Sequence, residues 1–259
     1  MLLANRVALV SGIGPGLGRE VALALARAGA DVAVSARRRE SVEEVGGEVA
    51  ALGRRALPLV ADVTQHGDCT QVVAETVARF GRLDVLVNNA YHPGSYVPLA
   101  DDDLSGWLAP FEVNVLGSLR LAQVALREMA KRGAGSIVMV NSMIVRRPLP
   151  TMAGYAASKA ALLAATQTLA REAGPLGVRV NSVLPGYIFG PALEGYFAAQ
   201  AKARGVTPQA VYDEVAREIP LGRIPTSAEV ADAVLFFASD LSRAITGASL
   251  DVNGGQVMA

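Results

Sequence analysis

The sequence predicts an α/β fold: a doubly wound parallel sheet of about seven strands with helices on both faces. Three observations predict it. Apolar stretches of strand length alternate with longer helix-like segments along the 259-residue chain. The composition is apolar, yet no run approaches the ~20 residues a membrane span needs, so the hydrophobicity belongs to a core such as a parallel sheet covered on both faces. A glycine-rich loop also follows the first strand and opens a helix, the arrangement that begins a βαβ unit.

The elements follow in order. RVALVS at 6–11 is the first strand, and the helical pattern at 17–28 follows the glycine loop. DVAVS at 31–35 and ALPLVA at 56–61 are the second and third strands, followed by helices at 41–52 and 69–79. LDVLVN at 83–88 leads into a long helix at about 116–132, and SIVMVN at 136–141 into one at 153–173. VRVNSV at 178–183 and SLDV at 249–252 complete the sheet, with a helix at 228–237 before the last strand. Strands joined by helices of this length imply right-handed βαβ units. One region breaks the rhythm: 190–220 has helical patterning but no strand, and its place after a strand's carboxyl end is that of a substrate lid. No repeat or linker divides the chain, so residues 1–259 are expected to form a single domain carrying that lid.

The charges balance, with 24 Lys plus Arg against 24 Asp plus Glu, which offers no electrostatic reason to expect nucleic acid or an anionic membrane as partner. Cys69 is the only cysteine and His66 and His92 the only histidines, so neither an intrachain disulfide nor a metal site is expected. MLLANRVALVSG enters a strand almost at once without a signal-peptide pattern, and the expectation is a soluble cytoplasmic protein.

The loop reads Ser11-Gly12-Ile13-Gly14-Pro15-Gly16-Leu17-Gly18. Glycines there permit a tight turn and close approach of the backbone to a pyrophosphate, which meets the positive end of the following helix. An NAD-preferring site places Asp or Glu at the end of the second strand. This chain has Arg37, Arg38 and Arg39 there and no acid, and a guanidinium can grip a 2′-phosphate in bidentate fashion. NADP(H) is therefore favoured over NAD(H). Asp62-Val63 and Asn88-Asn89-Ala90 end the third and fourth strands and can line the same crevice, although such residues are also common turn formers.

Tyr155 and Lys159 stand four apart in YAASK and so project side by side from one helix face. A free phenol titrates near ~10, too high for ready proton exchange at neutral pH. At an effective dielectric of ~20, each positive charge ~5 Å away is worth roughly 3 kcal/mol, about two pKa units, so an ammonium and an oxidised nicotinamide would draw the phenol toward working pH. The same pair is also common on plain helix surfaces. Ser142, at the end of the fifth strand, adds a hydroxyl at the same sheet edge, and Asn114 lies in a helical segment expected to pass beneath the crevice.

Taken together, these motifs resemble a short-chain dehydrogenase/reductase of the compact single-domain branch, over essentially the whole chain. SGIGPGLG resembles the family's TGxxxGxG loop, NNA at 88–90 its NNAG, and Pro185-Gly186, PLGR at 220–223 and Asn253-Gly254-Gly255 its later features. Asn114, Ser142, Tyr155 and Lys159 fall at the spacing of its catalytic tetrad. The resemblance implies a Rossmann-like fold and hydride transfer between a nicotinamide and a secondary alcohol or ketone, with no metal. It implies Tyr155 as general acid/base, Ser142 as the hydrogen-bond partner of the substrate oxygen, Lys159 as the ligand of the nicotinamide ribose, and Asn114 as the holder of a relay water. Gly12, Gly14, Gly16, Leu17, Gly18, Arg37, Arg38, Asp62, Val63, Asn88, Ala90, Tyr155, Lys159, Pro185, Gly186 and Ile188 are the implied cofactor contacts. A homotetramer or homodimer acting on a small carbonyl or alcohol substrate is implied as well.

Three positions depart from the family pattern. Tyr91 replaces the glycine of NNAG, Gly190 stands where PGxxxT has threonine, and Pro15 occupies a loop position often basic in NADP-preferring relatives. Met143, Ile144 and Val145, with Tyr187, Phe189, Leu193, Tyr196 and Phe197 of the lid region, would make an apolar pocket suited to an aliphatic, alicyclic or aromatic ketone if they face the crevice, and ordinary packing if they do not. Leu176, where acyl-carrier reductases tend to have a basic residue before Gly177, argues mildly against a 3-oxoacyl-thioester substrate. A catalytically silent dinucleotide-binding regulator has no need of the tetrad. A methyltransferase would have no use for Tyr155 and Lys159.

Overall fold

The computed structural model describes residues 1–258. Seven strands, β1 (Val7–Ser11), β2 (Asp31–Ala36), β3 (Ala56–Val60), β4 (Val85–Asn88), β5 (Gly135–Val140), β6 (Val178–Pro185) and β7 (Ser249–Val252), form one sheet in the order β3-β2-β1-β4-β5-β6-β7. Every neighbouring pair is parallel. The helices are α1 (Leu17–Arg27), α2 (Arg39–Ala51), α3 (His66–Phe80), the single turn α4 (Leu108–Pro110), α5 (Ser118–Ala130), α6 (Ala153–Ala173), α7 (Pro191–Arg204), α8 (Pro208–Arg217) and α9 (Ser227–Ala238).

The strand sequences are apolar throughout because both faces are covered. Ala8, Val10, Val32, Val34, Val85 and Val87 join α1, α2 and α9 in one core. The alternate residues Leu9, Ala33, Leu86, Ile137 and Met139 join α3, α5 and α6 in the other. Strand order reverses beside β1, which lies between β2 and β4, and a crevice opens at such a switch point beyond the carboxyl ends of the strands. Ser11 of β1 is in register with Asn88 of β4, so the loops after the two strands leave the sheet at the same level.

One region differs from the sequence expectation, and a second takes one of the two readings left open. The long helix expected at 116–132 instead begins at Leu108 and runs through a π-helical stretch, Phe111–Gly117, before becoming α5. The wider turn surrounds Asn114, whose side chain is fully enclosed, and ends at Gly117, where a Cβ would come within 2.7 Å of Val63 Cγ2. The region 190–220 folds as the α7–α8 pair around a small core of its own: Phe197, Ala201, Val211, Ile219 and Ile224. Phe189 and Phe197 meet Tyr212 edge to face at 5.4 and 6.3 Å. Tyr187, Phe189, Leu193 and Phe197, read as possible pocket lining, are thus chiefly packed within this pair, whereas Tyr196 stays exposed.

The glycine loop divides by what each position touches. Gly12 has φ +89°, and a Cβ on it would lie 2.2 Å from Ala90 N, so both its dihedral and its neighbour require glycine. A Cβ on Gly14 would meet nothing within 4 Å. Gly12→Ala is therefore expected to cost more than ~2 kcal/mol of folding stability. Gly14→Ala should shift it by no more than ~1 kcal/mol. Urea unfolding of both variants checks the contrast, and equal losses would show that Gly14 is as closely packed as Gly12.

Candidate active site

The glycine loop, the loop after β4, the turn after β5 and the first turns of α6 converge at the carboxyl edge of the sheet. In the glycine loop, Gly12 and Gly18 are pressed against backbone, a Cβ on Gly18 falling 2.4 Å from Gly12 O. Gly14 and Gly16 instead border open space, with only Ser227 Oγ at 4.0 Å from a Cβ on Gly16. This is a cradle in which a pyrophosphate can approach the backbone at the start of α1, and the residues present fit such a group. Leu17 points its side chain into the core, which leaves its backbone as its contribution here.

The other expected cofactor contacts are distributed unevenly. Asn88 is buried, with its Nδ2 donating to Ser118 O (3.2 Å) and Met139 Sδ (3.3 Å), so its amide serves the core. Its neighbour Asn89 does the work at the loop: its backbone N donates to Ser11 O (3.0 Å) and its Nδ2 to Gly12 O (2.7 Å). Ala90 abuts Gly12 through its own backbone. Asp62 is held in its turn, Oδ1 accepting from Thr64 N (2.9 Å), and Val63 packs on Gly117. Pro185 ends β6, Gly186 lies against Asn253 and Met143, and Ile188 is half-buried against the core. Arg37 and Arg38 are exposed just beyond β2, and among the described residues no carboxylate pairs with either, whereas Arg39 reaches Glu43 at 3.4 Å.

Tyr155 lies in the first turn of α6 and Lys159 one turn further on, with Nζ 5.9 Å from the Tyr155 ring centre. Lys159 is only 2% exposed, and Nζ donates to Val140 O at 2.8 Å. Burial lowers its pKa to about 7. Burial also raises the Tyr155 phenol above its ordinary value; the neighbouring Ser142 hydroxyl acts against this, and the Tyr91 and Tyr96 phenols reinforce it. The sequence suggests a phenol brought down by the lysine. In the protein alone desolvation dominates both groups, favouring a neutral phenol and drawing the lysine toward neutrality.

A hydrogen-bonded frame holds this pair. Asn114 Oδ1 accepts from His92 N (2.7 Å), and its Nδ2 donates to His92 O (3.0 Å) and Ser158 Oγ (2.9 Å). The Ser158 hydroxyl donates in turn to Tyr155 O (2.8 Å). Asn141 was not singled out in the sequence, yet its Oδ1 accepts from Ser142 N (3.0 Å) and its Nδ2 donates to Lys159 O (3.2 Å), joining the end of β5 to α6. Ser142 Oγ accepts from Ile144 N (3.2 Å). Arg146 and Arg147 are taken by protein carboxylates, Asp251 at 2.9 Å and Glu218 at 3.0 Å, rather than left free for an anionic substrate. Among the described residues there is no group of metal ligands, and no helix is long and apolar enough to cross a membrane.

A family model described as Enoyl-(Acyl carrier protein) reductase matches residues 12–256. The chain is 36% identical over 256 residues to a short chain dehydrogenase/reductase of Aspergillus oryzae, covering 98% of this chain and 95% of that one. It is 34% identical over 260 residues to a 3-oxoacyl-[acyl-carrier-protein] reductase of Thermotoga maritima, covering 100% of both. The crystal structure of an NAD+-bound xylitol dehydrogenase matches the fold with a TM-score of 0.92 at 31% identity, covering 98% of this chain and 100% of that one.

Because the folded-state pKa of Lys159 lies below the lysine's unfolded value, the unfolded chain binds more protons between about pH 7 and pH 10. The stability cost of burying Lys159 is thus full below about pH 7 and shrinks as pH rises through that window. Lys159→Met is expected to be more stable than the wild type at about pH 6, with the gap narrowing toward about pH 10. Chemical unfolding across that range tests this, and a constant gap would overturn the burial account.

Proposed function

We infer the activity from the family to which this chain belongs, the short-chain dehydrogenase/reductases: it is an oxidoreductase that moves a hydride between a nicotinamide cofactor and a carbonyl or alcohol carbon. The observation that carries the catalytic assignment is the pairing of Tyr155 with the buried Lys159 beside Ser142, on a frame anchored by Asn114. Bound in the crevice, the cofactor supplies the carbon that gives or takes the hydride.

The chain's own residues handle the proton and the orientation. Tyr155 is the proposed acid/base, and its raised pKa keeps the phenol protonated and ready to donate to a carbonyl oxygen. Ser142, next to that phenol, holds the same oxygen. Lys159 has three N–H bonds and gives one to Val140 O, leaving donors for ribose hydroxyls, and its pKa of about 7 suits it to restore the proton of Tyr155. Asn114 has its amide committed to His92 and Ser158, so a relay water in its vicinity would rely on backbone carbonyls of the π-helical turn.

The finer reading is that NADP(H) is preferred. Exposed, unpaired Arg37 and Arg38 beyond β2, with no acid between them and the strand, support it. The xylitol dehydrogenase of the same fold carries NAD+, and the reading for this chain rests on its own arginines. The α7–α8 pair is the proposed lid, tethered at its far end by Arg147–Glu218, within a chain of one domain. We further expect a homotetramer or homodimer working in the cytoplasm on a small, largely apolar ketone or alcohol. Reduction of 3-oxoacyl thioesters is the second reading; the full-length likeness to the Thermotoga reductase favours it, and Leu176 in place of a basic residue weighs against it.

The test is NADPH oxidation against a panel of ketones and a 3-oxoacyl thioester, beside NADH. Tyr155→Phe should lower kcat by roughly 10²–10⁴-fold, a far larger effect than its effect on cofactor affinity. Tight NADPH binding with no turnover on any substrate, in either direction, would favour the silent regulator. Arg37→Asp should weaken NADPH by about tenfold or more and spare NADH. Equal effects on both cofactors would sink the NADP(H) assignment.

A further inference from the structure

We propose that Ser227 is a cofactor-binding residue whose hydroxyl donates to the diphosphate of the bound dinucleotide from the start of α9. The proposal rests on the reading of the crevice as a nicotinamide-cofactor site and adds to it a residue from an element that the sequence motifs leave aside.

Ser227 is the first residue of α9, where a serine reads most simply as part of a helix cap. The cap here is made by its neighbour. Thr226 accepts from Glu229 N, while the Glu229 carboxylate accepts from Thr226 N at 2.9 Å, a complete capping box. The Ser227 hydroxyl is thereby left out of the cap. It stands 4.0 Å from where a Cβ on Gly16 would lie and 3.7 Å from where one on Gly190 would lie. Apart from residues adjacent in the chain, no other atom of the described residues comes within 4 Å of either position.

One hydroxyl thus borders the open side of the glycine loop and also the residue that precedes α7. Contacts on either side hold it in place. Phe189 N donates to Pro225 O (2.8 Å), Phe189 bridges to Thr226, and Val230 and Val234 of α9 share a core with Val21 and Leu25 of α1. Gly16 and Gly190 supply no side chain, so the polar side chain facing this space comes from α9. A hydroxyl donor is suited to an anionic oxygen, where hydrogen bonds are strongest.

The backbone at Gly190 does not itself call for glycine. Its φ of 166° is extended, and a Cβ there would make only an ordinary contact with Ser227 Oγ. A threonine at 190 would bring a second hydroxyl to the same place and would also suit the N-cap of α7. Ser227 accordingly offsets the missing hydroxyl at 190 by reaching the same space from another helix.

The experiment is equilibrium binding to the purified cofactor-free protein, by fluorescence titration with NADPH and by competition with 2′-phospho-ADP-ribose, which keeps the diphosphate and lacks the nicotinamide. Ser227→Ala is expected to weaken both by about tenfold, the size of a lost hydrogen bond to a charged group. Its unfolding midpoint without cofactor should match the wild type, because the hydroxyl serves no cap. Gly190→Thr added to Ser227→Ala should recover most of the affinity for both ligands. Unchanged affinity in Ser227→Ala would overturn the proposal, and so would a loss confined to NADPH, which would move the hydroxyl's role to the nicotinamide end. A wild type that binds neither NADPH nor NADH would instead overturn the cofactor reading on which the proposal stands.

Discussion

A lysine buried inside the sheet edge is the constraint on which the rest of the site depends. Lys159 is almost wholly enclosed and receives a single protein acceptor, Val140 O, for its three N–H bonds. Burying an ammonium this way is costly, which is why its pKa falls to about 7. The surroundings must keep α6 close to the end of β5 for that one hydrogen bond to form. Asn141 ties the two elements through Lys159 O, and Gly154 lets α6 come up against Trp107, where a Cβ would lie 3.0 Å from the indole. A looser seat would let water reach Nζ and return it to an ordinary lysine.

Burial pushes the two partners in opposite directions, and both favour the uncharged form. A neutral phenol can donate a proton but is a poor base, so in the protein alone this group suits donation to a carbonyl oxygen better than abstraction from an alcohol. Oxidation asks for the phenolate, which needs positive charge in the crevice to offset desolvation. The balance between directions then lies with what occupies the crevice and with whether Lys159 is protonated. Spacing alone could place the tyrosine and lysine together. It could not show which way their environment shifts them, because desolvation depends on everything packed around the pair.

Much of the scaffold was legible. All seven strands lie where their apolar runs predict, and α6 and α9 match their periodicity within a residue at each end. What escaped was the direction of individual side chains. Asn88 and Asn89 are adjacent and chemically identical, yet the first faces the core and the second pins the glycine loop, a difference set by strand alternation at the edge of the sheet. The aromatic residues of 187–212 suit a pocket wall or a miniature core equally well in sequence, and the α7–α8 pair needs them for the core because a helical hairpin standing off the sheet has no other apolar contact to bury. The π-helical turn at Asn114 had no signal, since the partner of its side chain, His92, lies more than twenty residues earlier in the chain.

That loop separates what must be fixed from what can vary. Asn89 fastens its start to Gly12, Asn114 grips His92 through both backbone groups, and Gly94, with φ +76°, lies against the backbone of Tyr155. The glycine cradle and α6 are thus coupled through the backbone of a few residues. Two side chains that the loop presents, Tyr91 and Tyr96, are about 60% exposed and belong to neither core. They can change size or polarity at little cost to the frame, because surface substitutions away from packed contacts have small effects. Variation is therefore carried most easily by these exposed side chains, while the frame around Tyr155 and Lys159 rests on backbone groups held by hydrogen bonds.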